Sequence, residues 1–343
     1  MNISLRKSLR ETIVEHKTAL IIALIIIAGG SIGTYFAIDY LNAQNPERIT
    51  LATTTSTYDS GLLDFLLPKF TEKTGIQIKV LSVGTGTAIQ YGKDGNADVI
   101  LVHSRPREDD FVNASLGLNG LAYGIHRACV MFNDFIFVGH FSNPANLHPG
   151  DNITTVMTKL KVAIDAGNMT FYSRGDNSGT HSKEKELWAE VGVVAATEWA
   201  AQPDKYTETG QGMAATLLMT YEDVDANHEG YTLVDRGTWL SFNDTYTSLE
   251  ILAESVIGED KLLNPYGVIP INPVLHPHVK YVSACRFVGF LTSQYGQDLI
   301  NSYRKNNAAL FHGSFGTCAS NYSCSTTDDE ISFWTPFQGE FNT

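Results

Sequence analysis

Several patterns typical of enzymes and metalloproteins are missing from this sequence. The 343 residues contain no Cys-x-x-Cys and no His-Glu-x-x-His, which argues against a metal ion held by protein ligands. The Gly-x-x-x-x-Gly-Lys-[Ser/Thr] phosphate loop is absent, and Gly84-x-Gly86 lacks the third glycine of a dinucleotide-binding turn. We therefore expect neither a protein-bound metal nor a cofactor.

Positive charge is scarce. Lys and Arg total 24 against 37 Asp and Glu, which gives a formal net charge of −13. Such an acidic chain is a poor partner for nucleic acid or for an anionic lipid surface. A pocket for a small anion is still compatible with this charge, because screening over about 8–10 Å hides surface carboxylates from donors that touch the ligand.

Charge is missing altogether from residues 18–38, a run of 21 mostly apolar residues. As a helix this run is roughly 30 Å long, enough to cross a bilayer. Four basic residues precede it and no Lys or Arg follows before Arg48, so the positive-inside rule keeps the N-terminus in the cytoplasm. The sequence predicts a single-pass membrane anchor with an extracytoplasmic globular part. A cleaved signal peptide is the alternative.

Cysteine is rare, with four in the chain. An oxidising compartment would allow three pairings. Cys318 and Cys324 lie six residues apart in a Gly-, Ser- and Thr-rich segment and are expected to close a small loop. Cys129 and Cys285 lie in apolar patterns and are expected to be small buried hydrophobic residues.

Three stretches have the same design, in which a strand ends in hydroxyl groups or glycines and a helix follows. They are Thr53–Thr57, Gly84–Thr87 and Ser173–Thr180. Alternating strands and helices predict an α/β fold with parallel sheets, and in such sheets ligands bind beyond the carboxyl ends of the strands. We expect these three turns to form one site.

The third stretch carries the clearest anion-binding pattern. Asn177 and Ser178 can cap the helix that follows, which leaves backbone N–H groups and the positive dipole end in one concavity. Arg174 adds a full charge with a planar fork of donors, and Asp176 is placed to hold the guanidinium in one rotamer. An ordinary capped helix start with a surface Arg–Asp pair is the alternative.

The chain is long enough for two domains. The apolar strand at 128–138 is long enough to pass from one lobe to the other, and an amphipathic helix over 282–303 is expected to pack back on the first lobe. The predicted organisation is a cytoplasmic stub and anchor over residues 1–45, a first lobe over 46–133 and 250–312, a second lobe over 134–249, and a polar C-terminal tail over 313–343.

Two enzymatic alternatives have little support in the sequence. Asp176, Ser178 and His181 contain the side chains of a serine hydrolase, but they lie within six residues of one turn and no Gly-x-Ser-x-Gly elbow surrounds Ser178. A surface phosphatase would need a metal cluster or a nucleophile that the sequence does not offer. We expect a binding protein rather than an enzyme.

Other polar residues could support the site. His103 follows a predicted buried strand. There it could either contact a ligand directly or support the residues that do. Arg105, Arg127 and Arg236 could be pocket cations, although salt bridges are the more common role for such residues.

Taken together, these stretches resemble the tungstate-binding proteins (TupA type) of ABC uptake transporters, over about residues 49–311. The resembling blocks include TTTST-x-x-SGLLD (53–64), VGTGTA (83–88), ADVILVH (97–103), VMFNDFIFVG (130–139), SRGDNSGTH-x-K-E (173–184), TGQGMAATL (209–217), YTLVDRGTW (231–239) and LLNPYGVIPINP (262–273). The resemblance implies a two-lobed periplasmic-binding-protein fold of type II, each lobe a mostly parallel sheet flanked by helices. Such a receptor clamps one oxyanion between its lobes and delivers it to a permease.

Carried over residue by residue, the resemblance implies an oxyanion site of neutral donors and one arginine. The implied ligand-binding residues are Thr54, Thr55, Ser56, Thr85, Gly86, Thr87, Arg174, Ser178, Gly179 and Thr180. Asp176 and His103 are implied to support them from behind. The sequence departs from the family at Ser104–Pro106, where an extra Arg105 stands, and at Ala214, which replaces a common glycine.

Three other receptors share the same pattern. Phosphate receptors resemble the chain at Arg174-x-Asp176-x-Ser178, but they need an acceptor carboxylate for the ligand's own proton. Tungstate and molybdate carry no proton at neutral pH, and nothing in the sequence separates these two. An anion-sensing ectodomain would share every pocket residue. The 17 residues that precede the predicted anchor are too few for a cytoplasmic signalling domain, which counts against this alternative.

Overall fold

A computed structural model describes residues 46–225, 228–254, 261–316 and 328–342. Within these ranges no helix has the length and apolar character needed to cross a membrane. The predicted anchor at 18–38 and the predicted pair Cys318 and Cys324 lie outside the described residues.

Strands and helices alternate through most of the chain, as the sequence predicts. The strands are β1 (Arg48–Thr54), β2 (Gln77–Val83), β3 (Val99–Val102), β4 (Ala128–His140), β5 (Met169–Ser173), β6 (Tyr206–Glu208), β7 (Val224–Asp225), β8 (His228–Asp235), β9 (Leu249–Ala253), β10 (Leu263–Pro270), β11 (Arg304–Lys305), β12 (Ala308–Ala309) and β13 (His312–Gly313). The helices are α1 (Thr55–Asp59), α2 (Leu62–Thr74), α3 (Thr85–Lys93), α4 (Arg105–Val112), α5 (Ile153–Asp165), α6 (Gly179–Ala189), α7 (Ala195–Glu198), α8 (Met213–Glu222), α9 (Arg236–Phe242), α10 (Tyr281–Thr292), α11 (Gln294–Ser302) and α12 (Asp328–Gln338).

A single sheet path runs through both lobes in the order β2-β1-β3-β10-β4-β8-β5-β6. The strands β1, β2 and β3 are parallel, and so are β5, β6 and β8. The expectation of mostly parallel sheets is wrong for the centre, where β10 and β4 pair antiparallel with their neighbours. Of these two strands, β4 passes from one half of the sheet to the other, whereas β10 pairs only within the first half.

The long strand β4 joins the two lobes, as the apolar run at 128–138 predicts. Residues 128–134 pair with β10, and residues 135–139 pair with β8. Its last residues also pair with β9. Each end of one strand therefore belongs to a different half of the sheet.

The described residues form three hydrophobic clusters, and the one with the most residues extends into both halves of the sheet. The first contains Leu51, Phe70 and Phe287, which are fully buried among residues of β1, α2 and α10. The second contains Phe137 and Phe171, which pack with Trp188 of α6 and with Trp199. The first cluster also contains Met213 of α8 and Val234 of β8, so the two halves of the sheet share part of their core.

The C-terminal part of the chain differs from the sequence predictions. The helix expected over 282–303 is two helices, because Ser293 ends α10 and its hydroxyl caps α11 by accepting a hydrogen bond from Gly296 N at 3.0 Å. The tail expected over 313–343 contains α12, whose Trp334 is fully buried in the first core. Gly289 allows this docking, since a Cβ there would lie 2.4 Å from Phe337 O.

The cysteine predictions are half right. Cys285 is a free, buried thiol as expected. Cys129 is disulfide-bonded, so its interpretation as a plain buried hydrophobic residue is wrong. A disulfide agrees with the oxidising compartment that the predicted export implies.

Candidate anion-binding site

The three predicted turns lie at the carboxyl ends of β1, β2 and β5. Because β1 and β2 are parallel with Thr54 opposite Val83, the turns after these two strands lie side by side. The third turn belongs to the second lobe, on the far side of β4 in the sheet order. A ligand that touches all three turns must therefore bind between the lobes.

The first turn is a buried hydroxyl network rather than a loose strand end. Thr54 caps α1, its Oγ1 accepting a hydrogen bond from Thr57 N at 3.3 Å and pairing with Thr57 Oγ1 at 2.6 Å. Ser56 Oγ lies 3.2 Å from the same Thr54 oxygen. Thr57 also bonds Tyr266, whose hydroxyl accepts a hydrogen bond from Asn264 at 3.2 Å. The network orients the hydroxyls of this turn.

The second turn presents uncapped backbone donors. Gly84 precedes α3 and has no side chain to cap it. The first N–H groups of a helix have no acceptor within the helix, so those of Thr85, Gly86 and Thr87 face outward with the positive end of the helix dipole. Thr85 itself is buried. This is the kind of site that binds anions without a charged side chain.

In the third turn most backbone donors are already used. Gly175 N donates to Ser173 Oγ, Asn177 N to His181 Nδ1, and Ser178 N to Asp176 Oδ1, at 3.0–3.2 Å. Ser178 caps α6 by accepting from His181 N at 3.2 Å. The turn is therefore fixed in shape, and the N–H groups of Gly179 and Thr180 are those that open the helix.

Arg174 is buried with one donor unsatisfied. Its side chain is 8% exposed, and Nη2 donates to Asp176 Oδ2 at 2.5 Å, the pairing that the sequence predicts. Its Nε is buried and has no hydrogen-bond partner among the described residues. A buried donor without an acceptor is costly, which a bound anion would correct.

His103 lies where the two lobes touch. Its ring packs on Tyr266 at 4.9 Å between centroids, and a Cβ on Gly179 would lie 2.6 Å from its Cε1. Burial lowers the pKa of His103 to about 4, with the nearby Arg174 charge acting in the same direction. The imidazole is therefore neutral at pH 7, which suits a support for the site.

Glu184 supports the third turn from the core of the second lobe, a role that the sequence interpretation missed. Its carboxylate accepts hydrogen bonds from Ser173 Oγ at 2.6 Å, Tyr206 OH at 2.7 Å and Trp188 Nε1 at 3.3 Å. Burial raises the pKa of Glu184 to about 7. Its position four residues before Trp188, on the inner face of α6, could have predicted this burial.

A cavity of about 330 Å³ brings two of the turns together. Thr85, Gly86 and Thr87 line it from the first lobe, and Asp176 and Ser178 line it from the second. A second cavity, of about 180 Å³, is lined by His103 and Gly179. Within the described part of the chain, the remaining predicted residues line neither cavity; they are Thr54, Thr55, Ser56, Arg174 and Thr180.

The larger cavity has two cations that the sequence interpretation did not select. Lys93 and Arg107 both line it, together with the exposed Asp110. Arg107 also makes hydrogen bonds to the second lobe, from Nη1 to Asn177 O at 3.0 Å and from Nη2 to Ser182 Oγ at 3.4 Å. Basic residues on α3 and α4 carry no local motif, so their convergence was visible only in three dimensions.

The arginines considered as pocket cations form salt bridges. Arg127 pairs with Glu108 at 2.6 Å in a fully buried position, and Arg105 pairs with Asp109 at 2.7 Å. Arg236 makes two 2.6 Å hydrogen bonds to Asp134 in the middle of β4. Of the residues described, no group of three or more His, Cys, Asp or Glu could hold a metal ion.

Comparison with known proteins gives a consistent result. The profile of the PBP superfamily domain matches residues 41–294. The chain is 44% identical to the tungstate-binding protein TupA of Peptoclostridium acidaminophilum, over 78% of this chain and 86% of that protein. It is also 44% identical to a putative ABC transporter anion-binding protein of Haloferax volcanii, over 77% of this chain and 71% of that protein.

Solved structures give the same picture. The tungstate-binding protein TupA from Desulfovibrio alaskensis G20 superposes with a TM-score of 0.65 at 36% identity, covering 78% of this chain and 99% of that one. The tungstate ABC transporter protein from Geobacter sulfurreducens gives 0.61 at 40% identity, covering 75% and 99%.

Proposed function

Because this chain belongs to the periplasmic-binding-protein superfamily and, within it, to the TupA-type tungstate-binding proteins, we propose that it captures tungstate between its two lobes and delivers it to an ABC permease. No chemistry is performed on the ligand. The lobes proposed to close on it are residues 46–133 with 250–312 and residues 134–249.

One observation carries the proposal: the cavity between the lobes is lined by an uncapped helix start on one side and by the Ser178 turn on the other. Such donors match a small tetrahedral dianion, which offers acceptors on every side. At about 1.5–3 kcal/mol for each hydrogen bond to a charged group, six or seven donors give roughly 10–20 kcal/mol before the costs of binding. Several kcal/mol are lost to ordering and desolvation, which leaves an affinity suited to scavenging.

The proposed contacts come from all three turns. The donors are Thr54, Thr55, Ser56, Thr85, Gly86, Thr87, Arg174, Ser178, Gly179 and Thr180. The free Nε of Arg174 supplies the directed charge, since Asp176 already occupies Nη2. His103 and Asp176 hold the contacts in place. In the closed receptor, the first and third turns are proposed to contact the ligand together with the second turn.

The available acceptors favour tungstate over phosphate. At neutral pH phosphate keeps a proton and needs a carboxylate to accept it, whereas tungstate is proton-free. The two oxygens of Asp176 are occupied by Arg174 and by Ser178 N. Asp110 also lines the cavity, but it is exposed, so water competes for its lone pairs. Molybdate has nearly the same size and charge as tungstate and is the expected second ligand.

The family and the apolar segment over residues 18–38 support a proposed location for the receptor. Residues 18–38 are proposed to anchor the chain in the cell membrane in a single pass, with both lobes extracytoplasmic. The permease subunits of the transporter are the proposed partner.

Isothermal titration calorimetry of the full chain in detergent, against sodium tungstate, molybdate, phosphate and sulfate, tests the function. We expect one tungstate site of micromolar affinity or tighter, and phosphate and sulfate at least a hundredfold weaker. Tighter binding of phosphate than of tungstate would overturn the proposal.

A further inference from the structure

Arg107 connects the two lobes directly. It lies on α4, which follows β3 in the first lobe, and its hydrogen-bond acceptors are Asn177 O and Ser182 Oγ in the second. The strands β3 and β5 that precede these elements lie on opposite sides of β4 in the sheet. The two hydrogen bonds therefore cross the cleft, next to the contact between His103 and Gly179.

The acceptor that Arg107 uses belongs to the third turn itself. Asn177 has a left-handed backbone with φ of 56°, and its N–H is bound to His181 Nδ1 at 3.0 Å. Its neighbours Gly175 and Ser178 are also bound within the turn. The carbonyl of Asn177 is consequently fixed relative to Ser178, so a bond to that carbonyl positions the whole turn against the first lobe.

We propose that Arg107 is a closure residue: its hydrogen bonds to Asn177 and Ser182 form only when the lobes are together and hold the oxyanion in place. This inference rests on the proposed function. A contact made in the closed state and absent in the open state shifts the equilibrium toward closure. Breaking it speeds release of the ligand, whereas the encounter rate depends mainly on the charge around the cavity.

Lys93 supplies a matched control. It lines the same cavity as Arg107, and its ammonium lies 5.2 Å from the Tyr123 ring in its own lobe. Lys93→Gln removes one positive charge from the cavity wall, as Arg107→Gln does, but it removes no hydrogen bond across the cleft. Arg107→Lys keeps the charge but loses the planar guanidinium group, whose two terminal nitrogens donate to the two acceptors.

The first test measures sodium tungstate association and dissociation by stopped-flow tryptophan fluorescence on the full chain in detergent. We expect Arg107→Gln and Arg107→Lys to raise the dissociation rate roughly tenfold, because two hydrogen bonds from a charged donor are lost or weakened. Lys93→Gln should slow association a few-fold and leave dissociation within about twofold. Equal dissociation rates in all four proteins would overturn the inference.

The second test needs no ligand. Val194 and Val282 are 68% and 69% exposed and lie in different lobes, so cysteines placed there can carry spin labels. Double electron–electron resonance on the ligand-free chain should show a shorter-distance population that Arg107→Gln reduces and Lys93→Gln does not. An unchanged distance distribution in Arg107→Gln would also overturn the inference.

The two tests separate this inference from the proposed function. A wild-type chain that fails to bind tungstate refutes the function. A chain that binds tungstate tightly, with Arg107→Gln releasing it at the wild-type rate, refutes the role of Arg107 alone.

Discussion

Replacing Glu184 by glutamine should change how stability depends on pH. The carboxyl group lies in the core of the second lobe, with Ser173, Tyr206 and Trp188 donating to it. Glutamine has nearly the same shape: its amide oxygen can accept from Tyr206 and Trp188 as Oε1 does, and its amide nitrogen replaces Oε2 and can donate to Ser173 Oγ. The substitution therefore removes the titration with little change in packing.

The magnitude follows from the shifted pKa. Burial raises the pKa of Glu184 from its ordinary 4.5 to about 7, so the folded chain holds a proton that the unfolded chain has released. At about 1.4 kcal/mol for each pH unit, this corresponds to about 3 kcal/mol of stability. That stability is fully present below pH 4.5 and is lost as the pH rises to about 7.

His103 has the opposite effect. Burial lowers its pKa from 6.5 to about 4, so it adds about 3 kcal/mol above pH 6.5 that is lost as the pH falls through 4. Between pH 4.5 and 6.5 the Glu184 contribution to the free energy of unfolding falls with pH while the His103 contribution rises, so the two largely cancel. In Glu184→Gln the free energy of unfolding should rise with pH, because only the His103 contribution remains. In His103→Gln it should fall with pH, because only the Glu184 contribution remains.

Urea unfolding at half-unit steps from pH 4.5 to 7.5, without tungstate, measures both slopes. Glu186→Gln is the control, because Glu186 lies two residues away on α6 with its side chain 51% exposed. The difference in unfolding free energy between wild type and Glu184→Gln should change by about 3 kcal/mol across the range. If this difference stays constant with pH, the conclusion that the buried Glu184 carboxyl group is neutral in the folded state below pH 7 is wrong.

Three further substitutions test the site and the fold. Arg174→Ala should weaken tungstate binding by about 2–5 kcal/mol, because a buried dianion loses its directed charge; calorimetry showing less than a tenfold loss would remove Arg174 from the site. Thr85→Val should cost about 1.5–3 kcal/mol in the same assay through one lost hydrogen bond to the anion, while the urea midpoint stays near wild type. Trp334→Ala should lower stability by about 3–5 kcal/mol, because a fully buried indole leaves a cavity in the first core; an unchanged midpoint would show that α12 does not support it.

Local chemistry made much of the site predictable. Ser178 caps α6, Gly84 opens α3, and Asp176 holds Arg174, because capping and short ion pairs depend on residues within a few positions of one another. The long strand β4 was predictable for the same reason, since residues 128–138 form one mostly apolar run.

Contacts between distant residues could not be predicted in this way. Arg107 meets Asn177 across 70 residues, and Glu184 meets Tyr206 across 22. The helix α12 follows a polar segment, so its docking through Trp334 carried no strong local signal. In each case the partner is chosen by the path of the chain rather than by neighbouring residues.

The sequence by itself determined the fold class, the family and the three donor-rich turns, because periodicity, capping and motif order are local properties of the chain. The tertiary structure decided which turns share a cavity, which backbone donors of the third turn are already used, and how Lys93 and Arg107 enter the cleft. These outcomes depend on the sheet order that puts β3 and β5 on opposite sides of β4. Sheet order is set by packing across the whole chain, which no single stretch of sequence encodes.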